Sequence, residues 1–420
     1  MFYIEHFPGF KILIESTFYF IILLMLFKYK YTSVVLKDKQ IFLLIFLFKV
    51  IAGILFYITR DNAFGVNTGN DELFYFNFAQ EYFNLSEFPT FALLSMNRSF
   101  IIYDWIHFIV FNEANIMFII ITNIFFSVLT WIIFYKELKI LFNEKVSYII
   151  LFLSFIPEVM FQNFQNMRDT LILFFVIIFV KSVYNYVVYR KINYFVVLLL
   201  IYFTATLRFY NLLIEASVLF IFAIFIVKFK RIQILILSIS FLGFILILYP
   251  GVADTIYNLL TNFREIVVLN IKAHSDYEFY LLDSFLSTDM YSNGLIFKVF
   301  LTFIVTPNPY HFFDLGTIEQ FVIVSDLLFL SLIFYFAKVL IGFKRLNLIE
   351  KIMVVFIILY TMIILSSPYL SDFRHRGEIM PFIFILIFSN IYHNKYKLSN
   401  IIAMQIITLI ILFIGIGVFV

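Results

Sequence analysis

The sequence predicts an all-α polytopic membrane protein of about 12 transmembrane helices (roughly 11 to 13) with a large extracytoplasmic loop, and three observations predict it. Hydrophobic residues make up 63% of the 420-residue chain and charged residues only 14%. Ordinary globular domains carry about 25% charged residues, so there is too little polar surface here to cover a water-soluble fold. The apolar residues come in runs long enough to cross a bilayer as helix. The lysines between those runs cluster in alternate loops, as topology determinants do. The chain reads as one integral membrane domain, 1–420. It contains no Cys, which excludes disulfides, thiolate metal sites and cysteine nucleophiles. A net charge of +3 is too small to imply a nucleic-acid partner.

Spans are expected at 12–27, 41–58, 115–135, 146–161, 170–187, 194–207, 212–227, 232–249, 322–341, 350–366, 378–392 and 399–419. The first carries Glu15, lacks a small-residue cleavage site and runs into a Lys-rich loop, so it reads as an anchor rather than a cleaved signal. Residues 295–306 are too short to span and read as a re-entrant or surface helix. Lys28, Lys30, Lys37 and Lys39, then Lys136, Lys139 and Lys145, then Lys228, Lys230 and Arg231 mark the cytoplasmic side, which leaves both termini outside.

The opposite side has longer loops: 59–114, expected to hold interfacial helices, 162–169, 250–321 and 367–377. The 250–321 segment is expected to form a lid or acceptor groove. The cations there are mostly arginine: Arg60, Arg98, Arg168, Arg208, Arg264, Arg374 and Arg376, with only Lys272 and Lys298. A guanidinium is a rigid fork matched to phosphate or carboxylate oxygens, whereas Lys is a solvated point charge. Arginine on the side that opposes the topology rule points to an anionic ligand.

Four polar clusters fall on that side. The first is Gly69-Asn70-Asp71-Glu72-Leu73-Phe74-Tyr75, where Asp71 is either a helix cap or, with Glu72, a general base or acid facing a sugar hydroxyl. The second is Pro157-Glu158 with Gln162, Asn163, Gln165, Asn166, Arg168 and Asp169. It is either a solvated turn or an anion site at a helix start, with Asp169 capping or orienting Arg168. The third is Arg208, the only cation between spans six and seven, read as a snorkelling side chain or as a ligand for a polar partner, with Glu215 nearby. The fourth runs from Pro368 through Asp372, Arg374, His375, Arg376, Gly377 and Glu378 to Pro381. Two flanking arginines favour a neutral His375 that accepts a proton. These clusters are far apart in sequence, yet the topology delivers all four to one face.

No glycine-rich phosphate loop, His-Glu-x-x-His pair or Gly-x-Ser-x-Gly turn is present. No metal or cofactor is expected, and an Asp71-ligated divalent cation is the one weak exception. Asp71-Glu72 with Tyr75 in the first outer loop resembles the GT-C superfamily of polyprenyl-linked sugar transferases. The Pro157…Arg168-Asp169 hairpin, Arg208 and Arg374-His375-Arg376…Pro381 resemble bacterial polysaccharide repeat-unit polymerases of the Wzy type. That resemblance implies an inner-membrane enzyme joining undecaprenyl-pyrophosphate-linked oligosaccharides on the periplasmic face, into O-antigen or capsular polysaccharide. It implies pyrophosphate binding by Arg168, Arg208, Arg374 and Arg376, activation of the acceptor by His375 or Asp71, and a flippase and a chain-length regulator as partners. Two alternatives stay open: a GT-C transferase adding one sugar from a polyprenyl-phosphate donor, and a transporter or flippase of the same lipids.

Overall fold

A computed structural model describes residues 10–28, 34–63, 69–90, 92, 99–166, 168–189, 194–227, 317–365, 377–397 and 399–407. Among the described residues every regular element is helical. The helices are α1 (Phe10–Lys28), α2 (Leu36–Ala63), α3 (Gly69–Asn84), α4 (Phe100–Phe111), α5 (Ile116–Phe142), α6 (Val146–Ser154), α7 (Pro157–Asn163), α8 (Asp169–Tyr189), α9 (Tyr194–Leu207), α10 (Phe209–Val227), α11 (Thr317–Ile341), α12 (Leu348–Leu365) and α13 (Met380–His393). A last helical stretch, α14, covers 399–407.

Among the described residues, five helical segments are long and apolar enough to cross a membrane: Phe10–Lys28, Lys37–Ile58, Ile116–Ser154, Asp169–Tyr189 and Ile323–Ile341. The outward faces are apolar as well. Phe10, Leu13 and Phe18 on α1, and Phe195 and Leu198 on α9, are exposed. Water would penalise such a surface, and lipid does not. The expected spans 232–249 and the end of 399–419 lie outside the described residues. So does nearly all of the expected 250–321 loop, whose last residues, from Thr317, already belong to α11.

The centre of the bundle is α5. Its best membrane-length window is 83% buried, against 22% for α1. Asn115 starts α5 by accepting the Met117 N–H at 2.9 Å. Just before it, Asn112 ends α4 in the left-handed region (φ 50°), where a short amide side chain is tolerated. Helices α1, α2, α8 and the α6–α7 pair pack around α5, with α9, α10 and α12 beyond α8, and α13 against α11 and α12.

The expected fourth span, 146–161, is not one helix. Val146–Ser154 has nine residues, a length of about 13 Å, less than half of a hydrocarbon core. Ile156 is extended (φ −56°, ψ 127°) and Pro157 opens α7. The physical reason was in the sequence: proline pushes the preceding residue out of the helical region and cannot donate to an earlier carbonyl.

The two ends of the bundle differ. At one, Lys136 lies 5.7 Å from the Tyr189 ring centroid, Phe142 meets Tyr392 at 6.2 Å, and Lys338 lies 4.9 Å from the Tyr396 ring, so the C-terminal ends of α5, α8, α11 and α13 gather there. At the other lie the starts of α5, α8 and α13 with the α9–α10 junction, and this end holds the buried Asp169, Arg208 and Glu378 with the amides Asn123 and Gln165.

Candidate functional site

Arg208 occupies the link between α9 and α10. Its backbone N–H bonds to Thr204 O at 2.7 Å, and its own carbonyl accepts from Asn211 N at 3.1 Å, so one helix closes as the next opens. Only 4% of Arg208 is exposed. One guanidinium nitrogen, Nη2, pairs with Asp169 at the first position of α8. The other, Nη1, donates to Glu378 Oε1 at 2.5 Å and to the Tyr210 hydroxyl at 2.9 Å. The Tyr210 hydroxyl lies 3.4 Å from that of Tyr360 on α12. Burial opposes the charge on Arg208, but Asp169, Tyr210 and Glu378 hold it protonated well above its ordinary range. One cation thus ties α8, α10, α12 and the turn before α13 into a single knot.

The hairpin between α6 and α8 supplies the floor. Glu158, Gln162, Asn163, Gln165 and Asn166 are all buried, which corrects the reading of this segment as a solvated turn. Side chains and main-chain carbonyls of this hairpin reach polar groups on α4, α5, α8 and α11. Glu158 accepts from Ser325 Oγ on α11 at 2.7 Å, Asn166 Nδ2 donates to Asp104 at 2.8 Å, and the Gln165 carbonyl accepts from Asn123 Nδ2 at 3.0 Å. The Gln162 carbonyl accepts from Thr170 Oγ1 at 3.1 Å.

Gly377 closes against the same hairpin. A Cβ at Gly377 would fall 2.0 Å from Gln162 Nε2. Any side chain at 377 would require the buried Gln162 amide to move. We expect Gly377→Ala to displace Gln162 and lower stability by roughly 1–3 kcal/mol, the usual cost of overpacking, read as a lower midpoint of thermal unfolding in detergent. A Gly377→Ala protein with the wild-type midpoint would show that Gln162 swings away freely.

Tyr75 of α3 is buried with its ring edge on Phe100 at 5.2 Å. The half-buried Arg168 places its guanidinium 5.7 Å from the Tyr75 ring centroid, a cation–π contact between the first and second clusters. Asp71 and Glu72 belong to the first turn of α3, which begins at Gly69, so Asp71 is not the cap. Carboxylates in a first turn face the positive end of the helix dipole. Their side chains, and all of Arg374, His375 and Arg376, lie outside the described residues. Among the described residues no group of three or more His, Asp or Glu could hold a metal ion.

The second, third and fourth clusters therefore meet at Asp169, Arg208 and Glu378, and Tyr75 adds the first through Arg168. Asp169 orients Arg208 rather than its neighbour Arg168. Three members were not assigned a role from sequence. Glu378 was visible at the end of the fourth cluster, and Glu158 beside Pro157. Tyr360 sits inside an apolar run and gives no sequence signal.

No protein-family model matches the chain, and neither a curated protein nor a solved structure resembles it.

Proposed function

We propose that this protein polymerises undecaprenyl-pyrophosphate-linked oligosaccharide repeat units at the periplasmic face of a bacterial inner membrane. The observation that supports this reading is the meeting of Asp169, Arg208 and Glu378 from three sequence-distant segments at one end of the bundle. In sequence, Arg374-His375-Arg376 directly precedes Gly377 and Glu378. In this reading Arg168, Arg374 and Arg376 hold the pyrophosphate oxygens and stabilise charge as the glycosidic bond breaks. Arg208 has its fork committed to two carboxylates and acts as the support that fixes the others. His375 or Asp71 takes the proton of the acceptor hydroxyl.

Cells lacking the protein are expected to accumulate lipid carrying a single repeat unit, seen by gel analysis of glycolipids, while wild-type cells show a ladder. A complete ladder in the deletion strain sinks the polymerase reading. A product longer by only one sugar favours instead the single-sugar GT-C transferase.

One observation favours the transporter reading. Glu15, Asp104, Glu158, Glu215 and Asp326 are buried within or between apolar helices, and ionisable groups so placed often mark ion or substrate paths. Movement of labelled lipid-linked sugar across vesicles by the purified protein, with no extension of the glycan, would select it.

A further inference from the structure

A groove of about 560 Å³ opens between α2 and α6 on the outer surface of the bundle, at the end where the lysines gather. Its two walls repeat one spacing. Lys37, Ile41, Leu44 and Phe48 descend α2 at intervals of four, three and four residues. Glu144, Tyr148, Leu151 and Phe155 descend the other wall at the same intervals, from the turn before α6 to the residue just past its end. Residues so spaced lie along one helix face. The walls run in the same direction. Asp38 accepts from Ser147 Oγ at the top, and the Phe48 and Phe155 rings meet edge to face at 5.2 Å at the bottom.

From Lys37 to Phe48 the groove is about 16 Å long at the rise of an α-helix, close to one leaflet of a hydrocarbon core about 30 Å thick. Below its charged rim it is apolar: Leu44, Phe48 and Leu151 are exposed along it, and the buried Ile45 backs it. The Phe48–Phe155 pair closes the lower end, so a membrane-crossing helix laid in it would be stopped halfway. A chain one leaflet long with a polar head at one end fits. The rim sets the chemistry of that head. Asp38 accepts from the Tyr135 and Ser147 hydroxyls, Lys39 donates to the Phe27 carbonyl at 2.8 Å, and Lys145 lies 5.7 Å from the Tyr148 ring. Lys37 and Glu144 remain. Both are exposed, and among the described residues neither is in an ion pair.

We propose that this groove binds one phospholipid with a zwitterionic head, its acyl chain between α2 and α6, its phosphate on Lys37 and its primary ammonium on Glu144. A cation on one wall and a carboxylate on the other match a head that carries both signs. A purely anionic head would set its charge beside Glu144 with nothing of its own to offset the repulsion. A primary ammonium donates hydrogen bonds to a carboxylate, which a quaternary one lacks the hydrogens to do. Phosphatidylethanolamine is therefore the class that fits. The apolar walls supply affinity by leaving contact with solvent or detergent, and the two rim charges supply selectivity. The groove lies at the opposite end of the bundle from Arg208, so it stands apart from the polymerase reading.

The test is native mass spectrometry of the full-length protein released from mixed micelles that contain phosphatidylethanolamine or phosphatidylglycerol. The wild type should hold one phosphatidylethanolamine and markedly less phosphatidylglycerol. Leu44→Trp puts an indole in the groove and should lower the bound fraction about tenfold, the equivalent of roughly two displaced methylenes. Leu151→Trp, on the opposite wall, should act alike. Leu198→Trp changes a comparably exposed leucine on α9 and should bind as the wild type does. Glu144→Lys should turn the head-group preference toward phosphatidylglycerol. Equal retention by Leu44→Trp, Leu151→Trp and Leu198→Trp would mean ordinary boundary lipid and overturns the proposal. So does a wild type that holds no lipid, or a head-group preference that Glu144→Lys leaves unmoved.

Discussion

Replacing Arg208 with alanine is expected to cost roughly 3–5 kcal/mol of stability, the largest structural effect of any single change in the described residues. Arg208 is the cation shared by Asp169 and Glu378, and the three are nearly without exposure. Removing it leaves two carboxylates buried together in a low-dielectric interior, each with a desolvation cost and each repelling the other. Unfolding in mixed micelles should show the loss directly. The charge argument also predicts its own rescue. Arg208→Met combined with Asp169→Asn and Glu378→Gln should recover most of the stability, because no uncompensated charge remains. A triple variant as unstable as Arg208→Ala would mean that packing, not charge, holds the four elements together. Arg208→Lys should fall between, since an ammonium cannot serve Asp169, Glu378 and the Tyr210 hydroxyl with the geometry of a fork.

Arg168→Ala and Arg374→Ala are expected to abolish chain extension while protein level and unfolding midpoint stay close to wild type. This is the largest functional effect, on the order of 100- to 1000-fold in rate if each guanidinium stabilises charge on the leaving pyrophosphate. Arg168 is half-buried, with its guanidinium over the Tyr75 ring, a contact of about 0.5–1 kcal/mol, so it is less desolvated than Arg208 and its removal should cost less folding energy. The separation of a large activity loss from a small stability loss distinguishes these arginines from Arg208. Arg168→Lys should rescue poorly, since the bidentate fork is lost. Full-length ladders from both alanine variants, at normal protein level, would remove the arginine site from consideration.

The helices were largely legible because their signal is local. Asn115 ahead of α5 and Pro157 as the first residue of α7 mark true element starts. The miss at 146–161 came from weighting the apolar run over the proline inside it. The site was half legible. Arg208 and Asp169 stand out as charges at the edges of apolar runs. Their pairing with each other, and with Glu378, does not, because sequence neighbours suggested Arg168 and Asp169 as the couple. The amides at 162–166 looked like a surface turn for the same reason: a polar run in an apolar chain reads as solvated until something else is known to cover it.

By itself the sequence determined that this chain is helical and built from apolar segments long enough to cross a bilayer, with lysine and arginine apportioned to different loops. Hydropathy and charge act over one helix length, so a string of residues is sufficient to read them. Tertiary structure decided which polar groups leave the surface. Burial of Glu158, Gln162, Arg208 and Glu378 depends on which helices close over them, and ion pairing across 170 positions from Arg208 to Glu378 depends on a fold that brings those helix ends together. The energy that keeps such groups buried belongs to the assembled knot, where each desolvated charge finds its partner.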